Sequence, residues 1–265
     1  MNQYDALGKF YDMFMVGSED YDERADYLLS IFRKHFGSIP KTLLDLGCGS
    51  GELSKRLAEK SIDLVCVDAS DTMLSLAREK LNTFTPKPLL LCQKMQDLDL
   101  NDTVQGAVCT MDGMSHLYTL ADVRKTFAKL RLFLESGCLF IFDVNTPWKH
   151  EHILGNNSFI MEKDGVVFNW QNFKTSVSGM EVMELDFFEE QEDGRYIRFF
   201  DTVKERAYSL RTWKKIIEES GFQLEAVYAD HTMQKPDAEC ERWVIVVRNL
   251  RDPKEYTLGG NIWLK

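Results

Sequence analysis

Residues 43–51 read LLDLGCGSG, Leu43 to Gly51, and this stretch decides the fold. Thr42 to Leu46 (TLLDL) is a short apolar strand, and Glu52 to Lys60 behind it has the pattern of a helix. Between them Gly47, Gly49 and Gly51 allow a sharp turn and let the backbone approach a ligand with no Cβ in the way. The helix start behind the turn offers unpaired N–H groups. Strand, glycine turn and helix in this order place a ligand of nucleotide type outside the carboxyl end of the strand, where open α/β sheets bind. The dinucleotide fingerprint G-x-G-x-x-G would set its third glycine at position 52, which is Glu52. The spacing here is G-x-G-x-G instead, with Asp45 two residues ahead of Gly47.

Outward from the turn the alternation continues. Ile62–Val67 (IDLVCV), Leu89–Cys92 (LLLC), Val104–Met111 (VQGAVCTM) and Cys138–Val144 (CLFIFDV) read as strands. Asp71–Leu81, with Ser70 as its N-cap, and Ala121–Leu134, its turn ended by Gly137, read as helices. Upstream, the first 36 residues read as helical; Tyr27, Leu28, Ile31, Phe32 and Phe36 form one stripe of Tyr21–Phe36, which Gly37 and Pro40 end. Downstream, Leu210–Ser220 is a helix stopping at Gly221, followed by strands at Phe222–Tyr228 and Trp243–Val247. Apolar strands alternating with amphipathic helices predict an α/β fold, a mostly parallel sheet covered by helices on both faces.

The pattern breaks after Val144. FIME, VVFNWQNF, MEVMELDFFEE and YIRFFDTV, between Phe159 and Val203, are β-like and are separated by Asp164-Gly165, Ser178-Gly179 and Asp193-Gly194. They predict an antiparallel sheet of three or four strands inserted into the α/β core or laid over it. The division is then a core of residues 1–144 and 203–250, a β-rich substrate cover at 145–202, and an irregular tail at 251–265.

A chain of 265 residues fits one large α/β domain, or one domain with a sizeable insertion. Its net charge of −10 would repel a phosphate backbone, so nucleic acid is not the default partner, although a local basic patch keeps it open. Six cysteines form no C-x-x-C pair; Cys66, Cys92, Cys109 and Cys138 fall in apolar runs and read as buried, reduced thiols, which fits a cytoplasmic protein with no metal site. The opening MNQYDALGKFYDMF lacks the basic-then-apolar order of a signal peptide, and no apolar run approaches the ~20 residues of a membrane helix.

Two further clues follow the glycine turn. Asp68, 21 residues after Gly47 at the end of the second strand, can accept both hydroxyls of a ribose, which by itself does not separate nicotinamide dinucleotides from other nucleosides. After the third strand, Met95-Gln96-Asp97-Leu98 offers an acid for an adenine amino group, with Met95 and Leu98 to sandwich the ring.

D45-L-G-C-G-S-G51, D68-A-S-D-T-M73, Q96-D97 and C-T-M-D112-G-M-S-H-L117 together resemble the successive motifs of small bacterial class I S-adenosylmethionine-dependent methyltransferases. The resemblance covers about residues 1–145 and returns at 208–247; Tyr4 and Phe10-Tyr11-Asp12 resemble that group's N-terminal element. It implies a Rossmann-like seven-stranded sheet of order 3-2-1-4-5-7-6 with the last strand antiparallel, and S-adenosylmethionine as methyl donor. By motif, Gly47, Cys48, Gly49 and Gly51 would line the methionine part of the donor, whose cationic sulfonium and amino-acid end suit carbonyls and Asp45. Asp68 would hold the ribose, Ala69 and Met73 would lie beside the adenosine, and Gln96 and Asp97 would meet the adenine. Met111 and Asp112 would form the floor under the sulfur, and Tyr11 would close over it.

Methyl transfer needs alignment more than acid–base chemistry, and no catalytic residue declares itself; His116 and Tyr11 are the candidates. Trp148, Phe168, Trp170, Phe173, Phe187 and Tyr196 could line an acceptor pocket or form the core of the extra sheet. His150-x-His152 is too sparse for a metal site. The acceptor implied is a small molecule, with no membrane partner and a homodimer allowed. The absence of an N-P-P-Y-type tetrapeptide at Met111–Met114 argues against a planar exocyclic amine as acceptor. The alternatives are an RNA methyltransferase, a nucleotide-binding (NAD-type) oxidoreductase, and a non-catalytic donor-binding protein.

Overall fold

In the computed structural model, which describes residues 5–15 and 20–252, strand β1 (Thr42–Leu46) stands at the centre of a seven-stranded sheet. Leu43, Leu44 and Leu46 are fully buried, because helices cover both faces of this strand and alternation would leave polar groups in the core. β2 (Asp63–Asp68) and β3 (Leu89–Cys92) extend the sheet on one side. On the other side lie β4 (Val104–Cys109), β5 (Leu134–Asn145) and two late strands, labelled β10 (Phe222–Ala229) and β11 (Arg242–Asn249). The order is β3-β2-β1-β4-β5-β11-β10, and β11 runs antiparallel to both neighbours. Counted over these seven strands, this is the expected 3-2-1-4-5-7-6 arrangement.

Helices α2 (Tyr21–Phe36), α3 (Glu52–Glu59) and α4 (Asp71–Leu81) cover one face, where Ile31, Phe32, Leu57 and Leu74 pack on Leu43, Cys66 and Ile141. α5 (Leu120–Phe133) and α7 (Leu210–Glu219) cover the other, where Phe127 and Trp213 meet Phe142. Ser70 caps α4 by accepting from Met73 N at 3.3 Å.

Two local expectations change. Gly137 does not end α5: the helix stops at Phe133 and β5 begins at once at Leu134. Gly137 lies inside β5 at φ +75°, in a bulge where Val104 pairs with Leu134 but Gly106 with Leu139. The bulge carbonyls are taken up by distant side chains, with Asn249 Nδ2 donating to Leu134 O (2.7 Å) and Arg248 Nη1 to Gly137 O (2.8 Å). Cys92 is exposed rather than buried, because β3 is the edge strand of the sheet.

The inserted segment forms a separate four-stranded antiparallel sheet of β6 (Ser158–Lys163), β7 (Val166–Lys174), β8 (Met180–Glu190) and β9 (Tyr196–Arg206), in that order. Its turns fall at Asp164-Gly165, Ser178-Gly179 and Asp193-Gly194, and β9 runs four residues past Thr202. A short helix α6 (Pro147–Lys149), continuing as a wide turn through His150–Leu154, links β5 to this sheet. The inner face stacks Phe168 on Phe187 at 4.4 Å between ring centroids and packs against α1 (Asp5–Met15) through Phe10 and Phe14. Tyr4 and residues 253–265 of the expected tail lie outside the described residues. Among the described residues no helix is long and apolar enough to cross a membrane.

Candidate functional site

The glycine turn is tied to the end of β2. Gly47 N and Cys48 N both donate to Val67 O, at 2.7 and 3.0 Å. Asp68 continues the clamp: Oδ2 accepts from Gly49 N at 2.9 Å and Oδ1 from Ser70 N at 2.8 Å. Burial pushes the Asp68 carboxyl up, against the pull of these two N–H groups. Asp45 is more deeply set. Burial raises its pKa to about 6, while the Ser54 hydroxyl, donating at 2.5 Å, opposes the rise.

These groups open into one cavity of about 680 Å³, bounded by the carboxyl ends of β1, β2 and β4, by α1 and by the inner face of the inserted sheet. Asp45, Gly47, Cys48, Gly49, Asp68, Ala69 and Met73 line one end, and Tyr11, Gln96, Met111, Asp112 and His116 also reach it. Three predicted residues do not. Gly51 lies off the cavity at φ +81°, where a Cβ would meet Ala77 Cβ at 2.9 Å and Ala77 Cα at 3.0 Å; its part is to let α3 pack on α4. Asp97 is exposed at the end of a 3-10 turn, Met95–Asp97, and the cavity is lined there by Lys94, Met95 and Gln96. Leu98 is likewise turned into the core, fully buried, and leaves Met95 as the apolar side chain of that stretch at the cavity.

Helix α1 roofs the turn. Asp12 Oδ1 accepts from Ser50 Oγ at 2.6 Å, and Asp12 Oδ2 pairs with Lys80 Nζ at 2.5 Å. At its other side Leu7 N donates to Asp201 Oδ2 at 2.6 Å and Lys9 pairs with Glu189 at 2.7 Å, both on the inserted sheet. Tyr11 sits between; burial and the nearby Asp12 charge push its phenol up to about 12, so it stays protonated at neutral pH.

The floor is built on strain. Met111 and Asp112 follow β4 at φ +54° and +63°, a conformation that costs an L-residue roughly 1–2 kcal/mol. Asp143 of β5 holds both, its oxygens accepting from Met111 N (3.0 Å) and Asp112 N (2.8 Å). Asp143 is itself buried against Arg24 of α2 (3.1 Å), which also reaches Asp230 (3.2 Å). Arg242 of β11 closes the network on Asp112 at 2.5 Å and on Asp230 at 3.4 Å. Burial pushes Asp112 up to about 6; Arg242 opposes this and the Asp143 charge adds to it. Burial alone would lower Arg242, but the charges of Asp112, Asp143 and Asp230 outweigh it and keep the guanidinium charged. Sequence reading passed over Arg24, Asp143, Asp230 and Arg242, although a lone carboxylate in CLFIFDV was a signal that a buried partner must exist.

The far end of the cavity has an apolar wall from the inserted sheet, including Met161, Phe168, Trp170, Leu185 and Phe187. Of the other aromatics considered, Phe173 and Tyr196 are exposed and Trp148 stacks on His152, all away from the cavity. His116, Asn145 and Lys149 from the α/β core, and Glu205 from the inner face of β9, also line the cavity. Among the described residues no group of His, Cys, Asp and Glu is arranged to hold a metal ion.

A Rossmann-like sheet with a glycine turn on β1, a carboxylate ending β2 and a roofed cavity beyond them defines a nucleoside-binding α/β enzyme. The family model described as a methyltransferase domain matches residues 43–137, from β1 to the bulge of β5. A provisionally named methyltransferase of Bacillus subtilis (strain 168), YqeM, is 29% identical over 242 residues, 90% of this chain and 94% of that one. The crystal structure of an S-adenosylmethionine-dependent methyltransferase from Clostridium acetobutylicum ATCC 824 superposes with a TM-score of 0.83 at 27% identity, covering 93% of this chain and 98% of that one. Over about half of each chain (52% and 55%), the sequence is 25% identical to the dTDP-3-amino-3,4,6-trideoxy-α-D-glucopyranose N,N-dimethyltransferase of Streptomyces venezuelae. The matched domain and the similarity over nearly the whole chain support a class I S-adenosylmethionine-dependent methyltransferase. The chain is a transferase that uses S-adenosylmethionine as methyl donor, and the oxidoreductase alternative is set aside.

Proposed function

We propose that the cavity holds the donor at its glycine-turn end and a small-molecule acceptor at its inserted-sheet end. The observation that carries the first half is Gly49. At φ +53° a Cβ there would meet nothing within 4 Å and would project into open space beside Asp68, as a backbone cradle for a ligand requires. Asp68 receives the ribose hydroxyls, Met95 and Gln96 border the adenine, and the Met111–Asp112 floor and Tyr11 lie on either side of the sulfur. Cys48, Ala69 and Met73 complete the wall, Gly51 supports the turn from outside it, and Asp97 takes no part.

S-adenosylmethionine, when bound, supplies the activated methyl group and its own leaving group. The chain's residues then align the acceptor and keep water out, and such positioning is worth roughly 7–11 kcal/mol. α1 and the inserted sheet, residues 145–202 in the division above, form the cover. His116 lines the cavity at its acceptor side and is the side chain placed to take a proton from the acceptor. A cavity of this size, walled by Phe168, Trp170 and Phe187, suits a small partly apolar molecule. The Streptomyces relative, whose printed acceptor is a nucleotide-linked amino sugar, supports the small-molecule reading. The free, buried thiols Cys48, Cys66, Cys109 and Cys138 support a cytoplasmic location.

Calorimetry tests the donor half. Micromolar binding of S-adenosylmethionine and S-adenosylhomocysteine is expected, lost in Asp68→Ala and Gly49→Val; no heat from either ligand would refute it. Labelled donor incubated with fractionated cell extract tests the acceptor half. Label in the small-molecule fraction is expected, and label confined to RNA or protein would overturn it.

A further inference from the structure

Glu205 is the unusual group at the acceptor end. It lies on β9, its side chain is 10% exposed, and it lines the cavity. The protein satisfies one of its oxygens. Lys149 Nζ donates to Asn145 Oδ1 at 2.9 Å, which turns the Asn145 amide so that Nδ2 donates to Glu205 Oε2 at 3.1 Å. Oε1 is 3.9 Å from His116 Nε2, beyond hydrogen-bond reach, and His116 also lines the cavity.

Behind Glu205 stands His150, buried, with Nε2 3.8 Å from Glu205 Oε2 and Nδ1 3.8 Å from Glu181 Oε2. Both ring nitrogens and Glu181 Oε2 are buried without a hydrogen-bond partner. His150 thus fills the space between two buried carboxylates. Burial pushes the Glu205 carboxyl up, but His150, His116 and Asn145 outweigh it and hold it below its usual range, so it is ionised. Of the cations nearby, Arg242 pairs with Asp112 and Lys149 donates to Asn145.

We propose that Glu205, backed by His150 and Glu181, is the acceptor-positioning carboxylate of this enzyme, and that the acceptor it selects is an amine. The inference rests on the reading of the inserted-sheet end as the acceptor chamber. Oε1 accepts an N–H of the amine, as charge-assisted bonds to a buried carboxylate do, while the apolar wall holds the rest of the molecule. An anionic acceptor group would face the same carboxylate and be repelled.

The test uses three probes of one shape, benzylamine, benzyl alcohol and benzoate, titrated into the S-adenosylhomocysteine-loaded protein at neutral pH. Benzylamine is expected to bind at least ten-fold more tightly than benzoate, with benzyl alcohol between. Glu205→Gln is expected to weaken benzylamine at least five-fold and to leave benzyl alcohol and S-adenosylhomocysteine within two-fold. Glu205→Asp, which keeps the charge, should retain part of the amine preference. Equal or tighter binding of benzoate, no binding of any probe, or an undiminished preference in Glu205→Gln overturns the inference. Should Glu205→Gln lose S-adenosylhomocysteine through misfolding, the wild-type ranking and Glu205→Asp decide. Failure of the wild type to bind S-adenosylhomocysteine would instead refute the donor reading.

Discussion

Gly49 and Gly51 stand two residues apart in the same turn, yet the structure gives them different work. Alanine at either position must adopt a left-handed conformation, φ +53° or +81°, at roughly 1–2 kcal/mol. At Gly51 the new methyl would also lie 2.9 Å from Ala77 Cβ and 3.0 Å from Ala77 Cα, a backbone atom that cannot swing aside. Such overpacking adds about 1–3 kcal/mol. Gly51→Ala should therefore cost roughly 2–5 kcal/mol and Gly49→Ala roughly 1–2 kcal/mol, which at this chain length lowers Tm by roughly 4–20 °C and roughly 2–8 °C. Ligand binding should rank them the other way. The Gly49→Ala methyl enters the cavity and should weaken S-adenosylhomocysteine at least ten-fold, whereas the folded fraction of Gly51→Ala should bind within about three-fold of wild type, since a residue off the site changes stability rather than contacts. Thermal unfolding with calorimetry on both variants decides. Equal thermal losses, or a larger affinity loss in Gly51→Ala, would refute the division of roles.

Three other outcomes follow from the same geometry. Asp12→Ala removes the two contacts that tie α1 to Ser50 and Lys80; at about 1 kcal/mol per hydrogen bond, donor affinity should fall by up to about 30-fold by calorimetry with little change in Tm. Arg24→Met leaves the buried Asp143 with only the more distant Arg242, 3.9 Å away, as its cation, and should cost up to about 3–5 kcal/mol in urea unfolding. Asp45 has a folded pKa raised to about 6 from an ordinary 3.8, so the folded state holds the extra proton between those values. Its contribution is full below the unfolded value and is lost as pH rises through about 6, a change of at most about 3 kcal/mol. Asp45→Asn should therefore flatten the decline in stability between pH 4 and 7, and an unchanged pH profile in the variant would show that Asp45 does not carry it.

The frame of the fold was legible because local chemistry and tertiary demand agree in it. TLLDL is apolar without alternation because it is central, Ser70 reads as a cap because its hydroxyl is one, and Asp164-Gly165 reads as a hairpin because both residues must take positive φ. Gly137 misled because a glycine after a helical run looks like a helix stop, whereas here it serves a bulge whose partners, Arg248 and Asn249, lie more than 100 residues away. The donor end of the cavity was readable as one contiguous turn with Asp68 19 residues beyond Gly49. Its floor was not, since the strain at Met111 and Asp112 is held by Asp143, and Asp143 by Arg24, 119 residues distant in sequence. Glu205 stayed hidden for the same reason, because an acid in the alternating strand TVKER looks like a solvated face until β9 is seen to turn it toward His150.

The account is tested most directly by a crystal structure with S-adenosylhomocysteine. It predicts the ribose hydroxyls on Asp68, the adenine against Met95 and Gln96, and the sulfur between the Met111–Asp112 floor and Tyr11. A ligand seated elsewhere, or a ribose out of reach of Asp68, would contradict it.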